Sequence, residues 1–278
     1  MEGEEELRGI DMNRQPIVAD RFYPGNPAQL RAMLHELNPG PMPKAHTARA
    51  LISPHAGYIY SGSVAAETMA QVIIPETVII LGPKHHGRGA PVALSMVAWD
   101  MPLGTVPVDQ EIETLLIRES DLITHDELAH EFEHSLEVQV PFLQERQPQL
   151  KIVPLAIAHL THNQCKSLGQ AIARTILASN REILIVASSD MTHYETRESA
   201  SRKDHAALKK LLALDPEGLY QIVLGQQISM CGIMPVTIAL HAALELGATR
   251  ARLVRYSDSG EVSGDTSQVV GYAGVVLS

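Results

Sequence analysis

The chain has 278 residues, 45% of them hydrophobic, with two cysteines and a formal net charge of −10. That is apolar enough for a sizeable core, which excludes a disordered chain, and its lysines and arginines are scattered, which excludes the basic stripe that nucleic acid requires. Cys165 and Cys231 are too few for a disulfide framework, the apolar stretches fall short of the roughly 20 residues of a membrane span, and no secretory leader pattern opens the sequence, so a soluble, cytoplasmic protein is expected.

In chain order, residues 1–11 carry four glutamates and little to bury, and are expected to form an acidic, flexible leader. Residues 12–278 show no linker, repeat or composition shift and read as a single α/β domain. Apolar runs of strand length, "ARALIS", "TVIILG", "PVALSMVA", "KIVPLAIA", "EILIVASS", "ARLVRYS" and "QVVGYAGVVL", alternate with longer segments of helical period. Those segments are "SVAAETMAQV", "DQEIETLLIRES", "HSLEVQVPFLQER", "HNQCKSLGQAIARTILAS", "SRKDHAALKKLLAL" and "VTIALHAALELG". Near-continuous apolar strands are what a sheet covered on both faces needs, so the pattern predicts a three-layer αβα sandwich with a largely parallel or mixed central sheet.

Three predicted strands run into polar residues at their carboxyl ends: "LISPH" at His55, "IILGPKHH" at His85 and His86, and "LIVASSDMTH" at Asp190 and His193. In open α/β sheets these ends converge on one crevice, so residues 51–53, 78–81 and 183–187 are expected to be buried parallel strands of one sheet. Taken singly, each residue has an ordinary explanation: a turn histidine, a solvated His86, a helix-capping Asp190. Together they imply a site. In "SMCGIMPVTIAL", Cys231 leads into a predicted helix whose positive end favours thiolate, and Gly232 permits an unusual backbone angle. "EFEHSLE" gathers Glu131, Glu133, His134 and Glu137, which serve either as acid–base groups or as a solvated helix start. Tyr58 and Tyr60 are expected near the pocket, with a hydroxyl on a polar partner. Two imidazoles with a carboxylate suit ferrous iron, whereas a thiolate moves the preference toward zinc or copper. No phosphate loop, GxSxG elbow or CxxC pair occurs.

"FYPG", "SPHAGYIYSG", "LGPKHHGRG", "MPLGTVPVD", "EHSLEVQVPFLQ", "SSDMTHY", "CGIMP" and "SGDTSQVVGYAG", in this order, resemble the Memo family, known in prokaryotes as AmmeMemoRadiSam system protein B. The resemblance implies a fold similar to class III extradiol ring-cleavage dioxygenases, which use non-heme iron. It also implies a metal site at His55, His85 and Cys231, with Asp190 and His193 lining the pocket. The dioxygenase relatives complete their iron site with a carboxylate where this chain has Cys231, so ring cleavage is not carried over. The signalling partners of animal members are not carried over either. Where the family commonly has a glycine before "FYP", this chain has Asp20 and Arg21, and the local turn is expected to differ.

The resulting expectation is a metal-dependent oxidoreductase of unknown small-molecule or peptide substrate. His55, His85 and Cys231 would hold iron or copper, with zinc as the other candidate metal, and His193, Asp190 and His134 would be the catalytic acid–base candidates. The competing expectations are a non-catalytic binding protein on the same fold and a zinc-dependent hydrolase with His193 or Glu133 as base. Neither nucleic acid nor membrane is an expected partner.

Overall fold

The structure, a computed structural model, describes residues 13–37 and 44–278, so the expected acidic leader lies outside the described residues. The strands are β1 (Ala50–Ser53), β2 (Thr77–Pro83), β3 (Val92–Leu94), β4 (Thr124–His125), β5 (Lys151–Ile157), β6 (Ile183–Ser188), β7 (His193–Glu195), β8 (Ala251–Asp258) and β9 (Val269–Leu277). The helices are α1 (Pro27–Glu36), α2 (Tyr58–Ala70), α3 (Gln110–Glu119), α4 (Val140–Arg146), α5 (His162–Ser179), α6 (Arg197–Leu212), α7 (Pro216–Gly225), α8 (Ile233–Glu245) and α9 (Gly260–Ser263).

Among the described residues the strands form one sheet in the order β4-β3-β5-β2-β6-β1-β9-β7, with β8 also paired to β9. Its centre is parallel: β1 and β2 flank β6, and β5 flanks β2. The outer strands β3, β7, β8 and β9 each pair antiparallel with a neighbour, so the sheet is mixed.

Successive residues of a strand point to opposite faces, and here both faces are buried. Ile79, Leu81, Ile185 and Ala187 pack with Ile112, Leu116, Leu168, Leu208, Leu219 and Ile238 from α3, α5, α6, α7 and α8. Their neighbours Val78, Ile80, Leu184 and Val186 pack on the other face with Leu30, Leu34, Ala65, Met69 and Leu143 from α1, α2 and α4. The central strands therefore read as unbroken apolar runs, and the architecture is the expected αβα sandwich. Residues 51–53, 78–81 and 183–187 are buried and parallel in one sheet, as the convergence argument requires.

Local departures have local causes. The expected strand at 91–98 stops at Leu94, because the Ser95 hydroxyl and the Met96 N–H both donate to the Glu127 carboxylate and turn the chain out of the sheet. Helix α2 starts at Tyr58, five residues before the predicted segment, so "YIYSG" is its first turns and no longer part of a loop. Asp20 sits at φ +61, the left-handed conformation that favours glycine. Its carboxylate accepts the Gly25 N–H at 2.7 Å, so an aspartate holds the turn where the family commonly has glycine.

Candidate metal centre

The carboxyl ends of β1, β2 and β6 deliver His55, His85 and Asp190 to one crevice, and the segment before α8 adds Cys231. Donor atoms of His55, His85 and Cys231 all lie within 4.8 Å of one another. Cys231 Sγ is 3.2 Å from His55 Nε2. The His55 and His85 rings meet edge to face with centroids 5.3 Å apart.

The hydrogen bonds fix which nitrogen each ring presents. Ser188 Oγ gives its only proton to the Ser135 carbonyl at 2.6 Å and accepts from Gln139 Nε2 at 2.8 Å. It must therefore also accept from His55 Nδ1, 2.8 Å away, which makes His55 the Nδ1–H tautomer with its Nε2 lone pair facing Cys231. His85 is set in the same way. Its Nδ1 donates to Glu133 Oε1 at 2.9 Å and its backbone N–H donates to Glu133 Oε2 at 2.6 Å, leaving Nε2 as the ring atom that could ligate an ion. Each imidazole thus carries the outer hydrogen-bond partner that metal-ligating histidines ordinarily have. Two nitrogen lone pairs and a sulfur at this spacing fit a first-row transition ion.

The electrostatics differ between the two rings. Burial, then the nearby His85, holds the His55 pKa well below its ordinary value. At His85 burial disfavours the charged ring, but the hydrogen bond and charge of Glu133 outweigh it and the pKa is raised. Burial also acts on Glu133, yet the bonds from His85 and Ser135 keep its carboxyl well below the usual range. The expectation that the helix end favours a Cys231 thiolate needs correction. Burial, then the neighbouring Asp190, pushes the thiol pKa well above its ordinary value, so the sulfur sheds its proton only when a cation takes that proton's place. Gly232 is corrected as well: its φ of −92 is open to any residue. What requires glycine is close approach, since a Cβ there would sit inside contact distance of Ser188 O and Ser189 Cβ.

Asp190 does not cap a helix; Thr196 caps α6. Its buried carboxylate accepts the His55 backbone N–H at 2.7 Å, while its own N–H donates to Cys231 Sγ at 3.3 Å. Burial raises its pKa. His193 stands apart from the donor triplet: its Nδ1 donates to the Ser229 carbonyl at 2.9 Å, leaving Nε2 as acceptor. His134 stacks on His85 with centroids 4.7 Å apart, and burial, then His55, lowers its pKa to about 4. With His85 and Glu133 it forms a second group of closely spaced donor atoms. Glu133 itself is engaged by three donors, which removes it as a free base. His86 is exposed. Tyr58 gives its hydroxyl to the Val138 carbonyl at 2.7 Å and packs on Tyr23 and Phe142, whereas Tyr60 is partly exposed.

Sequence reasoning missed Ser188 and Gln139 because a lone polar residue inside an apolar run carries no periodic signal. Glu137, expected as an acid–base group or part of a solvated helix start, is instead buried and receives the Arg14 guanidinium at 2.8 Å, the Tyr23 hydroxyl at 2.6 Å and the backbone N–H groups of Ile17 and Val18. This carboxylate ties the N-terminal segment to the wall of the site.

A family model described as Memo-like protein matches residues 14–276. The chain belongs to the Memo family. A MEMO1 family protein of Methanopyrus kandleri is 41% identical over 280 residues, covering 96% of this chain and 99% of the relative. A MEMO1 family protein of Methanothermobacter thermautotrophicus is 40% identical over 274 residues, covering 94% of this chain and 99% of the relative. The crystal structure of an uncharacterized protein from Escherichia coli K12 superposes with a TM-score of 0.55 at 16% identity, over 84% of this chain and 100% of that one, a likeness of fold alone. No helix among the described residues of this Memo family chain is long and apolar enough to cross a membrane.

Proposed function

We propose that this protein is a metal-dependent oxidoreductase whose ion, iron or copper, is held by His55 Nε2, His85 Nε2 and Cys231 Sγ. The observation that carries the reading is the convergence of these three donors within 4.8 Å, with both rings hydrogen-bonded through Nδ1. A redox-active ion held by three protein ligands supplies electron transfer and leaves coordination positions for a substrate. The chain's own groups do the remaining work. Asp190, its pKa raised by burial, retains a proton at higher pH than an ordinary carboxylate. His193, oriented by Ser229, offers Nε2 as the proton acceptor. Neutral His134 lines the cleft against His85. The substrate is a small molecule or a peptide side chain, as the reach of a crevice at the strand ends allows.

The thiolate donor also suits zinc. In that reading the protein is a hydrolase, and the base falls to His193 because Glu133 is already engaged.

Metal analysis of anaerobically purified protein, with assays of dioxygen and reductant consumption, separates these readings. One iron or copper per chain, with turnover lost together with the metal in His55→Ala, supports the oxidoreductase. Zinc alone without redox turnover supports the hydrolase, and no transition metal above background refutes both.

A further inference from the structure

We propose that the chain carries a second ligand site, for a phosphate-bearing small anion, at the end of the sheet opposite the metal centre. A cavity of about 470 Å³ opens there between Lys44, His46, Arg250 and Arg252, with Gln71 and Thr47 completing its polar wall. Lys44 and His46 precede β1, whose other end leads to His55, and Arg250 precedes β8. Strand β9 runs antiparallel to β1 with Leu277 opposite Ala50, which brings the starts of β1 and β8 and the end of β9 together.

Charge is the first argument. The chain has 32 acidic against 22 basic residues, and several arginines elsewhere pair with acids: Arg14 with Glu137, Arg174 with Glu119, Arg197 with Asp258, Arg255 with Glu67. Around this cavity the described lining holds no aspartate or glutamate, and Lys44, Arg250 and Arg252 have no ion-pair partner among the described residues. Like charges gathered round one void repel unless an anion enters it. This is a focus of charge in a concavity, and it differs from the continuous stripe that a nucleic acid needs.

Construction is the second argument. Arg252 donates to Gln71 Oε1 at 2.9 Å, which holds the guanidinium in place with its remaining N–H groups unassigned. Gln71 is in turn bound into the wall, since its carbonyl accepts the His46 N–H at 3.0 Å and the His46 carbonyl accepts the Ile73 N–H at 3.0 Å. The opposite wall is closed by the Thr249 and Arg250 N–H groups, which share the Ser278 carbonyl at 2.9 Å each. Two guanidinium forks, one of them held by Gln71, and an ammonium around one cavity are the recognition chemistry of phosphate oxygens. The volume lies within the range of small-molecule sites and exceeds what a single phosphate fills, so the ligand has room for an organic part.

Inorganic pyrophosphate titrated calorimetrically into the full chain at moderate salt tests this, with sulfate as the comparison anion. Saturable one-to-one binding is expected, weakened about 10- to 100-fold by Lys44→Ala and by Arg250→Ala, each of which removes a charge-assisted hydrogen bond. Neither side chain has another described partner, so both variants should melt like the parent. Arg174→Ala, at a distant surface ion pair, should bind like the parent, and so should Cys231→Ser, because the site is independent of the metal centre. The proposal is overturned by absent or non-saturable binding, by unchanged affinity in the Lys44→Ala/Arg250→Ala double variant, or by an equal loss in Arg174→Ala. Loss of binding in Cys231→Ser also overturns it, since pyrophosphate would then be chelating at the metal centre.

Discussion

Glu133→Gln withdraws one acceptor oxygen and one negative charge from beneath His85. The carboxylate accepts the His85 backbone N–H at 2.6 Å, His85 Nδ1–H at 2.9 Å and the Ser135 N–H at 2.8 Å. Glutamine keeps one carbonyl oxygen and places an NH₂ against at least one of these donors. A buried carboxylate can be a net burden, so the sign has to be worked out. Burial is the largest influence on Glu133 and raises its pKa, yet the net displacement is strongly downward, so the hydrogen bonds and the charge of His85 outweigh desolvation. Removing the charge is therefore a loss. One charge-assisted bond is worth about 1.5 to 3 kcal/mol and a stranded buried N–H adds about 1 to 3, which together make a deficit on the order of 4 kcal/mol. Because the folded pKa lies below the unfolded one, this contribution is present above the ordinary value of 4.5 and lost as pH falls below it. Urea unfolding of metal-free parent and variant should show the full deficit at pH 7 and a shrinking one below pH 4.5. Metal titration should show affinity weakened about 10- to 100-fold, because His85 loses its tautomer lock. Equal stability at pH 7, or a metal affinity within about twofold of the parent, would refute the assignment of Glu133 as the anchor of His85.

Cys231→Ser should weaken transition-metal binding strongly while leaving the melting temperature of the metal-free protein nearly unchanged, and in the parent metal affinity should rise with pH, because the buried thiol must release its proton to ligate; pH-dependent metal titration of both proteins reads this out. Gly232→Ala should cost about 1 to 3 kcal/mol by overpacking and should loosen the metal site, since a Cβ there drives against the Ser188 backbone; calorimetric melting and metal titration check both effects. His130 is buried with Nε2 on the Ala93 carbonyl, and burial lowers its pKa to about 4. Its neutral form is favoured in the folded state, so its contribution is present above pH 6.5 and lost as pH falls toward 4, on the order of 3 kcal/mol. Urea midpoints of parent and His130→Gln should converge over that window, and parallel curves would contradict the reading.

The parallel centre of the sheet was legible because burial on both faces makes β2 and β6 apolar between their polar ends, Thr77 and Ser188, a pattern that survives without knowledge of the partners. The site followed from it, since His55, His85 and Asp190 stand just past strand ends. Helices α1 and α7 went unseen although each carries a cap and a first-turn proline, Asn26 with Pro27 and Asp215 with Pro216. Each buries only two residues of its own, Leu30 and Leu34 in one and Leu219 and Val223 in the other, too few to make a periodic stripe. The protonation of the site was illegible for a different reason. It depends on Ser188 passing its proton to Ser135, a contact between residues 53 positions apart that only the assembled sheet creates. The helix-end argument for Cys231 failed in the same way, because burial by the packed surroundings and the neighbouring Asp190 raise the thiol pKa.

Cys231 and His55 are 176 positions apart in sequence, and they meet only after β6 has docked between β1 and β2 and α8 has packed on the sheet. An ion bound between them therefore has no counterpart in the unfolded chain, and it closes a loop of more than half the molecule. By mass action, free metal at a thousand times its dissociation constant would add about 4 kcal/mol to the folded state. Under the proposed metal binding, metal supply would become a term in the protein's survival during heating or proteolysis. A cell short of the ion would hold a population more open to degradation, whatever reaction the centre performs.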